Sequence, residues 1–81
     1  MYVVNTDKRR GYTVFVDDRK IADDLKPRMV ALYMGRSGEV KINVYAKWQV
    51  YVGWINVKKG MIAKIIPSIL GADLLFDTRM D

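Results

Sequence analysis

The most constraining feature of the sequence is the alternation of apolar and polar residues in VKINVYAKWQVYVGWINVKK, positions 40–59. Even positions from 40 to 54 are all apolar, whereas odd positions from 41 to 51 carry lysine, asparagine, tyrosine and glutamine. A period of two predicts β-strand with a buried even face, which includes Trp48 and Trp54. One straight strand would span roughly 60 Å, so we expect a turn within 46–49 or a bulge at Gly53. If the turn keeps an even register, the even-numbered residues point inward in the strands on both sides of it.

Further β-rich runs precede this segment. YVVNT at 2–6 and YTVFV at 12–16 are predicted to pair as a hairpin around the charged loop DKRRG. RMVALYM at 28–34 is apolar on both faces and is predicted to be a central, buried strand. GRSGE at 35–39 is typical of a hairpin loop.

Two segments are candidates for helix. DDRKIADDLKP at 17–27 is compatible with one helical turn, which we prefer, or with a tight turn at Asp18 and Arg19 followed by a strand that begins with KIA. In KKGMIAKIIPSILG, six apolar residues fall on one half of a helical wheel, and Pro67 interrupts the helix or starts its second piece. The predicted fold is α+β, a small twisted antiparallel sheet with one late amphipathic helix on its apolar face, in a single domain over 1–81.

The length and composition limit how such a domain is stabilised. The chain has 81 residues with no cysteine and no histidine, so disulfides and thiolate or imidazole metal ligands are excluded. Small domains without such staples often self-associate. We therefore predict a homodimer, with Leu74, Leu75 and Phe76 as a candidate contact.

Charge indicates the class of partner. Fourteen Lys and Arg against nine Asp and Glu give a net charge of +5 and a pI near 9.6. This surplus favours nucleic acid first, anionic membrane second and an acidic protein third. The start lacks the order of a secretory signal, and no apolar run approaches the ~20 residues of a membrane span, so we expect a soluble, cytoplasmic protein.

Catalytic signatures do not occur. Ser37 and Ser68 have no histidine partner, and no glycine pattern makes a phosphate-binding loop. The pairs Asp17–Asp18 and Asp23–Asp24 are more typical of solvated turns than of a metal site. We predict a non-enzymatic protein with no cofactor and no metal.

The odd-numbered face is the candidate binding surface. Tyrosine rings offer stacking platforms for bases, and lysines at the same spacing neutralise phosphates. Basic residues in flanking loops extend the surface, and asparagine and glutamine add neutral donors and acceptors. The predicted nucleic-acid-binding residues, with single strands favoured, are Arg9, Arg10, Arg36, Lys41, Asn43, Tyr45, Lys47, Gln49, Tyr51, Lys58 and Lys59.

Other interpretations remain open. Lysine, tyrosine, asparagine and glutamine are also ordinary on a solvated sheet face. The alternative function is a non-enzymatic interaction protein, such as a viral accessory protein that binds and inhibits an acidic host protein. Membrane binding is disfavoured because the sheet would cover the apolar side of the helix. The element order resembles that of Whirly-type single-strand binders, an analogy that carries no residue over.

Overall fold

The computed structural model describes residues 1–77, and this part of the chain is all β. The strands alternate with short turns and loops from end to end. Their bounds are β1 Tyr2–Asn5, β2 Tyr12–Val16, β3 Arg19–Leu25, β4 Val30–Leu32, β5 Gly38–Tyr45, β6 Gln49–Val57, β7 Ile62–Ser68 and β8 Gly71–Asp77.

The strands form two four-stranded sheets. The first sheet has the order β4-β1-β7-β8 and the second has the order β3-β2-β5-β6. Strands β1 and β7 pair in parallel, and the other neighbours pair antiparallel. At the sheet edges, β6 contacts β8 and β3 contacts β4, so the core lies between two closely apposed layers.

Alternate side chains of both sheets fill this core. Val14 and Val16 from β2 and Ile42 from β5 are fully buried, as are Val3 from β1 and Ile65 from β7. β-Branched residues fit a pleated surface, and burying each side chain of this kind contributes ~1.5–3 kcal/mol. The core is therefore built from the inward half of each strand.

The predicted late helix is wrong, and with it the α+β class, because Ile62–Ser68 is strand β7 and a turn at 69–70 leads into β8. Ala63 and Ile65 point into the core, whereas Ile62, Lys64 and Ile66 alternate to the other side. Since isoleucines occupy both faces, the run also satisfies a helical wheel, but β-branched side chains favour the strand. Without the helix, the analogy with Whirly-type proteins no longer holds.

Residues 17–27 contain a strand, so the preferred helical turn is also wrong; a turn followed by a strand is correct, although the turn lies at Asp17 and Asp18 and Arg19 already belongs to β3. Asp17 and Asp18 join β2 to β3 as a two-residue turn with φ of 52° and 63°. Positive φ at both turn positions matches the twist of a β-hairpin, and aspartate tolerates this conformation better than most residues.

Three predictions about strand placement are also wrong. The run at 28–34 gives only the short edge strand β4, with Val30 and Leu32 about half exposed, rather than a central strand. Strands β1 and β2 lie in different sheets and do not form a hairpin, and the segment at 35–39 connects the two sheets. Sequence neighbours were assumed to pair, whereas here the connections pass from one layer to the other.

The turn between β5 and β6 lies where the sequence predicts it, within 46–49, but its register is odd. Val44 lies opposite Tyr51 and Val40 lies opposite Ile55, so even residues of β5 share a face with odd residues of β6. The predicted inward placement of the tryptophans is therefore wrong: Trp48 is 54% exposed and Trp54 is 65% exposed.

No helix long and apolar enough to cross a membrane occurs among residues 1–77.

The strand assignment of β7 gives a direct test, because adjacent residues in a strand face opposite ways. Ile65→Lys places an unpaired charge in the core and should unfold the protein. Ile66→Lys lies on the outer side opposite Asp73 and should melt within a few degrees of wild type. Circular dichroism melts of both variants check this, and equal damage from the two substitutions would favour a helix.

Candidate nucleic-acid interface

The outer face of the second sheet carries aromatic and basic side chains together. Lys41, Asn43 and Tyr45 point outward from β5, because the even residues between them are fully buried. Phe15 of β2 lies opposite Asn43, and its ring meets the Tyr45 ring edge-on at 5.8 Å with an interplanar angle of 77°. Trp54 of β6 lies opposite Lys41. This surface, which we call the mixed face, presents rings and cations on one side.

The amide side chains on the mixed face bond to one another. Nε2 of Gln49 donates to Oδ1 of Asn43 at 2.9 Å and lies 3.4 Å from the Tyr45 hydroxyl. Asn43 is only 8% exposed, because the neighbouring strands cover it. These hydrogen bonds fix the side chains at the Tyr45 end of the face. They also occupy donors and acceptors that would otherwise be free to bind a ligand.

A basic cluster lies at the end of the sheet next to Tyr45. The Arg10 guanidinium carbon lies 5.7 Å from the centroid of the exposed Trp48 ring. Arg9, Arg10, Lys47 and Trp48 line one recess of about 520 Å³. We call these four residues the basic–indole cluster; it combines a flat apolar ring with three cations at one place.

Buried hydrogen bonds hold the loop that carries Arg9 and Arg10. Asp7 Oδ1 accepts the backbone N–H of Arg9 at 2.9 Å and that of Arg10 at 3.3 Å, and Asp7 Oδ2 accepts the Tyr12 hydroxyl at 2.7 Å. The Asn5 side chain accepts the N–H of Asp7 at 2.8 Å and donates to the carbonyl of Arg10 at 2.8 Å. The loop conformation is thus set from beneath by side chains.

The charge of Asp7 is part of this network. Burial of Asp7 disfavours its ionised form, but hydrogen bonds from Tyr12 and from the backbone of Arg9 and Arg10, with the charge of Arg10, outweigh burial and lower its pKa below 3.8. Burial, together with the hydrogen bond to the Asp7 carboxylate and its charge, raises the pKa of Tyr12 to about 12, although Arg10 opposes this shift. The carboxylate and the neutral phenol therefore coexist across the neutral pH range.

Carboxylates border the cluster on the side of β3. Asp24 lines the same recess and pairs with Lys26 at 3.2 Å, and both side chains are well exposed. Gly11 leaves the room that Asp24 occupies, since a Cβ at position 11 would overlap the Asp24 carboxylate. A polyanion is repelled on this flank and is favoured toward β5.

Several predicted site residues lie apart from the cluster. Tyr51 points inward and packs against the core, so it does not share a face with Tyr45. Arg36 pairs with Asp17 at 2.9 Å. Lys58 and Lys59 follow Val57, which lies opposite Gly38 at the other end of the β5–β6 hairpin, roughly 20 Å from the cluster at ~3.3 Å per residue. The structure brings together Arg9, Arg10 and Lys47, with Lys41, Asn43, Tyr45 and Gln49 on the adjoining face.

Sequence reasoning missed three features of this surface. Trp48 was assigned to the core by its even position, and Phe15 was not considered as an outward residue. The network of Asn5, Asp7 and Tyr12 had no periodic signature. A usable signal was the short polar loop ending in Gly11, since an aspartate two residues before a pair of arginines is typical of a capped turn.

Metal chemistry finds no support among the described residues, because no group of three or more carboxylates suited to an ion occurs within 1–77. No protein-family model, curated protein or solved structure matches the chain. The assignment of function therefore depends on the geometry of the surface alone.

The pKa of Asp7 predicts how the loop responds to acid. Because the folded pKa is the lower one, ionised Asp7 stabilises the fold above its ordinary pKa, and this contribution is lost as the pH falls through the folded value. Asp7→Asn should lower the free energy of unfolding by ~1–3 kcal/mol near neutral pH. The difference in stability between the variant and wild type should be smaller at an acid pH below the ordinary aspartate pKa of about 4 than at neutral pH, because protonation then begins to remove the same charge from wild type.

Urea titrations at the two pH values measure this difference. Asp23→Asn serves as the matched control, because that side chain is 74% exposed and its loss should change stability little. If Asp7→Asn lowers the free energy of unfolding by the same amount in acid as at neutral pH, the assigned role of the carboxylate charge is contradicted.

Proposed function

We propose that this protein is a small non-enzymatic nucleic-acid-binding module that holds a single strand with the basic–indole cluster and the adjoining mixed face. The observation that carries the proposal is the placement of the Arg10 guanidinium over the exposed Trp48 ring, 5.7 Å from its centroid, with Arg9 and Lys47 around the same recess. Stacking on flat rings and charge neutralisation of phosphates are the two terms that single-strand binders combine.

Trp48 supports the stacking term. Its side chain is 54% exposed, although burial of a large aromatic ring is normally favourable. Unpaired bases stack on such a ring with ~1–3 kcal/mol each, whereas bases of an intact duplex already stack on one another. The indole therefore favours single-stranded over double-stranded ligands.

The distribution of charge supports one direction for the strand. Cations at the cluster lie beside Tyr45, and Lys41 continues the positive line along β5 at two alternations from Tyr45, ~13 Å away. Asp23 and Asp24 on β3 repel phosphates from the opposite flank. The strand accordingly follows β5 from the cluster toward Lys41 and Trp54.

Pre-organisation supports affinity. A free loop with two arginines would lose conformational entropy on binding, at ~0.5–1.5 kcal/mol for each ordered side chain. Here Asp7 and Asn5 already hold the backbone of Arg9 and Arg10 by three hydrogen bonds before any ligand arrives, and Asn5 also accepts the N–H of Asp7. The remaining cost falls on the arginine side chains alone, and that of Arg10 already rests on Trp48.

The stacking term is tested by substitution of the indole. Trp48→Ala should weaken binding of a short labelled DNA or RNA strand by ~1–3 kcal/mol, which is roughly a 5- to 150-fold rise in Kd. In a Trp54→Phe background Trp48 is the sole tryptophan, and its fluorescence should be quenched as oligonucleotide is added. Unchanged fluorescence and affinity would reject the stacking role.

The charge term is tested by paired lysine substitutions. Lys47→Ala should reduce the slope of log K against log salt by ~0.7, as expected for one lost single-strand phosphate contact. Lys59→Ala removes the same charge at the far end of the hairpin and should leave the slope nearly unchanged. Equal effects of both changes, or no binding by wild type at physiological salt, would favour an acidic protein partner that senses overall charge.

A further inference from the structure

The outer face of the first sheet is largely apolar on β4, β1 and β7, and β8 adds Leu75 between two outward aspartates. The register aligns Leu32, Tyr2 and Ile62 in one row, and it aligns Val30 and Val4 with Lys64 in the next. None of these outward residues takes part in the core. The face, which we call the apolar face, comprises Tyr2, Val4, Val30, Leu32, Ile62, Ile66 and Leu75.

Four large apolar side chains of this face are about half exposed to solvent. Tyr2, Val30, Leu32 and Leu75 are 46%, 52%, 49% and 53% exposed. An antiparallel sheet facing water usually alternates apolar inward with polar outward residues, and large contiguous apolar patches mark interaction sites. The outer side of the second sheet differs, because the mixed face carries rings and cations together.

Charges on the apolar face are few and of opposite sign. Lys64 is the lone charged residue at the outward positions of β1, β4 and β7, and it lies near the centre of the sheet. Asp73 and Asp77 point outward from β8, opposite Ile66 and Ile62, and both are exposed. Cation and anions are thus offset by one strand, ~4.8 Å.

We propose that the apolar face binds a second copy of this chain, face to face about a two-fold axis, with Lys64 of each copy against Asp73 or Asp77 of the other. In a two-fold interface every contact occurs twice with the roles exchanged. The lysine of each copy therefore meets an aspartate of the other, and no charge is placed against its own sign. Apolar faces of two sheets pack ~10 Å apart, which is too close for water between them. The sign pattern makes the surface complementary to itself.

The distribution of charge over the whole chain is compatible with a second copy as the partner. The net charge of +5 opposes self-association in general, but the basic–indole cluster and Lys41 belong to the second sheet and its end. The outward charges of the apolar face sum to one positive and two negative. Repulsion between copies is therefore weakest across this face.

The size of the face sets the expected affinity. Four strands ~4.8 Å apart and seven-residue strands at ~3.3 Å per residue give a face of roughly 20 × 20 Å. Met29 and Met34 flank β4 and are 56% and 84% exposed, which adds apolar area at the rim. Stable interfaces bury about 800 Å² per partner, whereas this face measures about 400 Å², so the pair should be weak and should form only at roughly tens to hundreds of micromolar.

Of the three apolar residues that the sequence predicts as a dimer contact, the structure places one on this surface. Leu75 points outward, whereas Leu74 and Phe76 pack against the core. The arrangement leaves both mixed faces on the outside of the pair, facing away from each other. Two clusters on one particle would then raise avidity for a long strand without any new contact.

A charge exchange tests the proposal by sedimentation equilibrium from about 10 to 500 µM. Wild type should approach twice the 9.4 kDa monomer mass at the upper end. Lys64→Glu, and separately the double variant Asp73→Lys/Asp77→Lys, should each stay monomeric because like charges then meet. An equimolar mixture of the two should regain the dimer, since opposite charges meet again in both contacts.

Lys8→Glu, in the loop before β2, provides the matched control for a change of two charge units and should leave the mass unchanged. Each variant must show a cooperative melt close to wild type, so that monomers are folded monomers. Monomeric wild type at 500 µM, dimeric Lys64→Glu, or a mixture that stays monomeric would each overturn the proposal. Association with an unrelated partner predicts no recovery in the mixture.

Discussion

The buried side chain of Asn5 ties the two sheets to the loop that carries the cations. Its Nδ2 donates to the carbonyl of Leu25 in the second sheet and to that of Arg10, both at 2.8 Å, and its Oδ1 accepts the N–H of Asp7. A fully buried amide with its partners in place is stabilising, whereas the same amide without them costs several kcal/mol. The position of Asp7, and hence of Arg9 and Arg10, depends on this group.

Two outer faces of opposite character follow from the two-layer arrangement. Each sheet has one buried side, so its remaining side is free to differ in chemistry. The mixed face gathers Phe15, Tyr45 and Lys41 beside the basic–indole cluster. The apolar face has aliphatic residues around the single Lys64. One protein of 81 residues thus separates a surface of rings and cations from a largely aliphatic surface.

Much of the local structure was predictable from residue type. The strand character of 12–16 and of most of 40–57, the turn before Gln49 and the outward position of Lys41 and Tyr45 all follow from residue type and a period of two. The strand at 62–68 was mistaken for a helix because Ile62 and Ile66 are apolar on the outer face and complete a helical wheel. An exposed apolar face removes the polar half of the alternation, which is the signal that distinguishes a strand from a buried helix.

By itself, the sequence determined the inward set of β5, the absence of disulfides and a surplus of positive charge, since these depend on composition and local period. Tertiary structure alone decided that Val44 lies opposite Tyr51, which turned Trp54 outward and Tyr51 inward, while Trp48 lies exposed in the turn before β6. One residue more or less in the turn reverses every side chain of the following strand, and the local pattern carries no record of that choice. The meeting of Arg10 with Trp48 likewise joins residues far apart in sequence, because the loop after β1 and the turn after β5 end at the same edge.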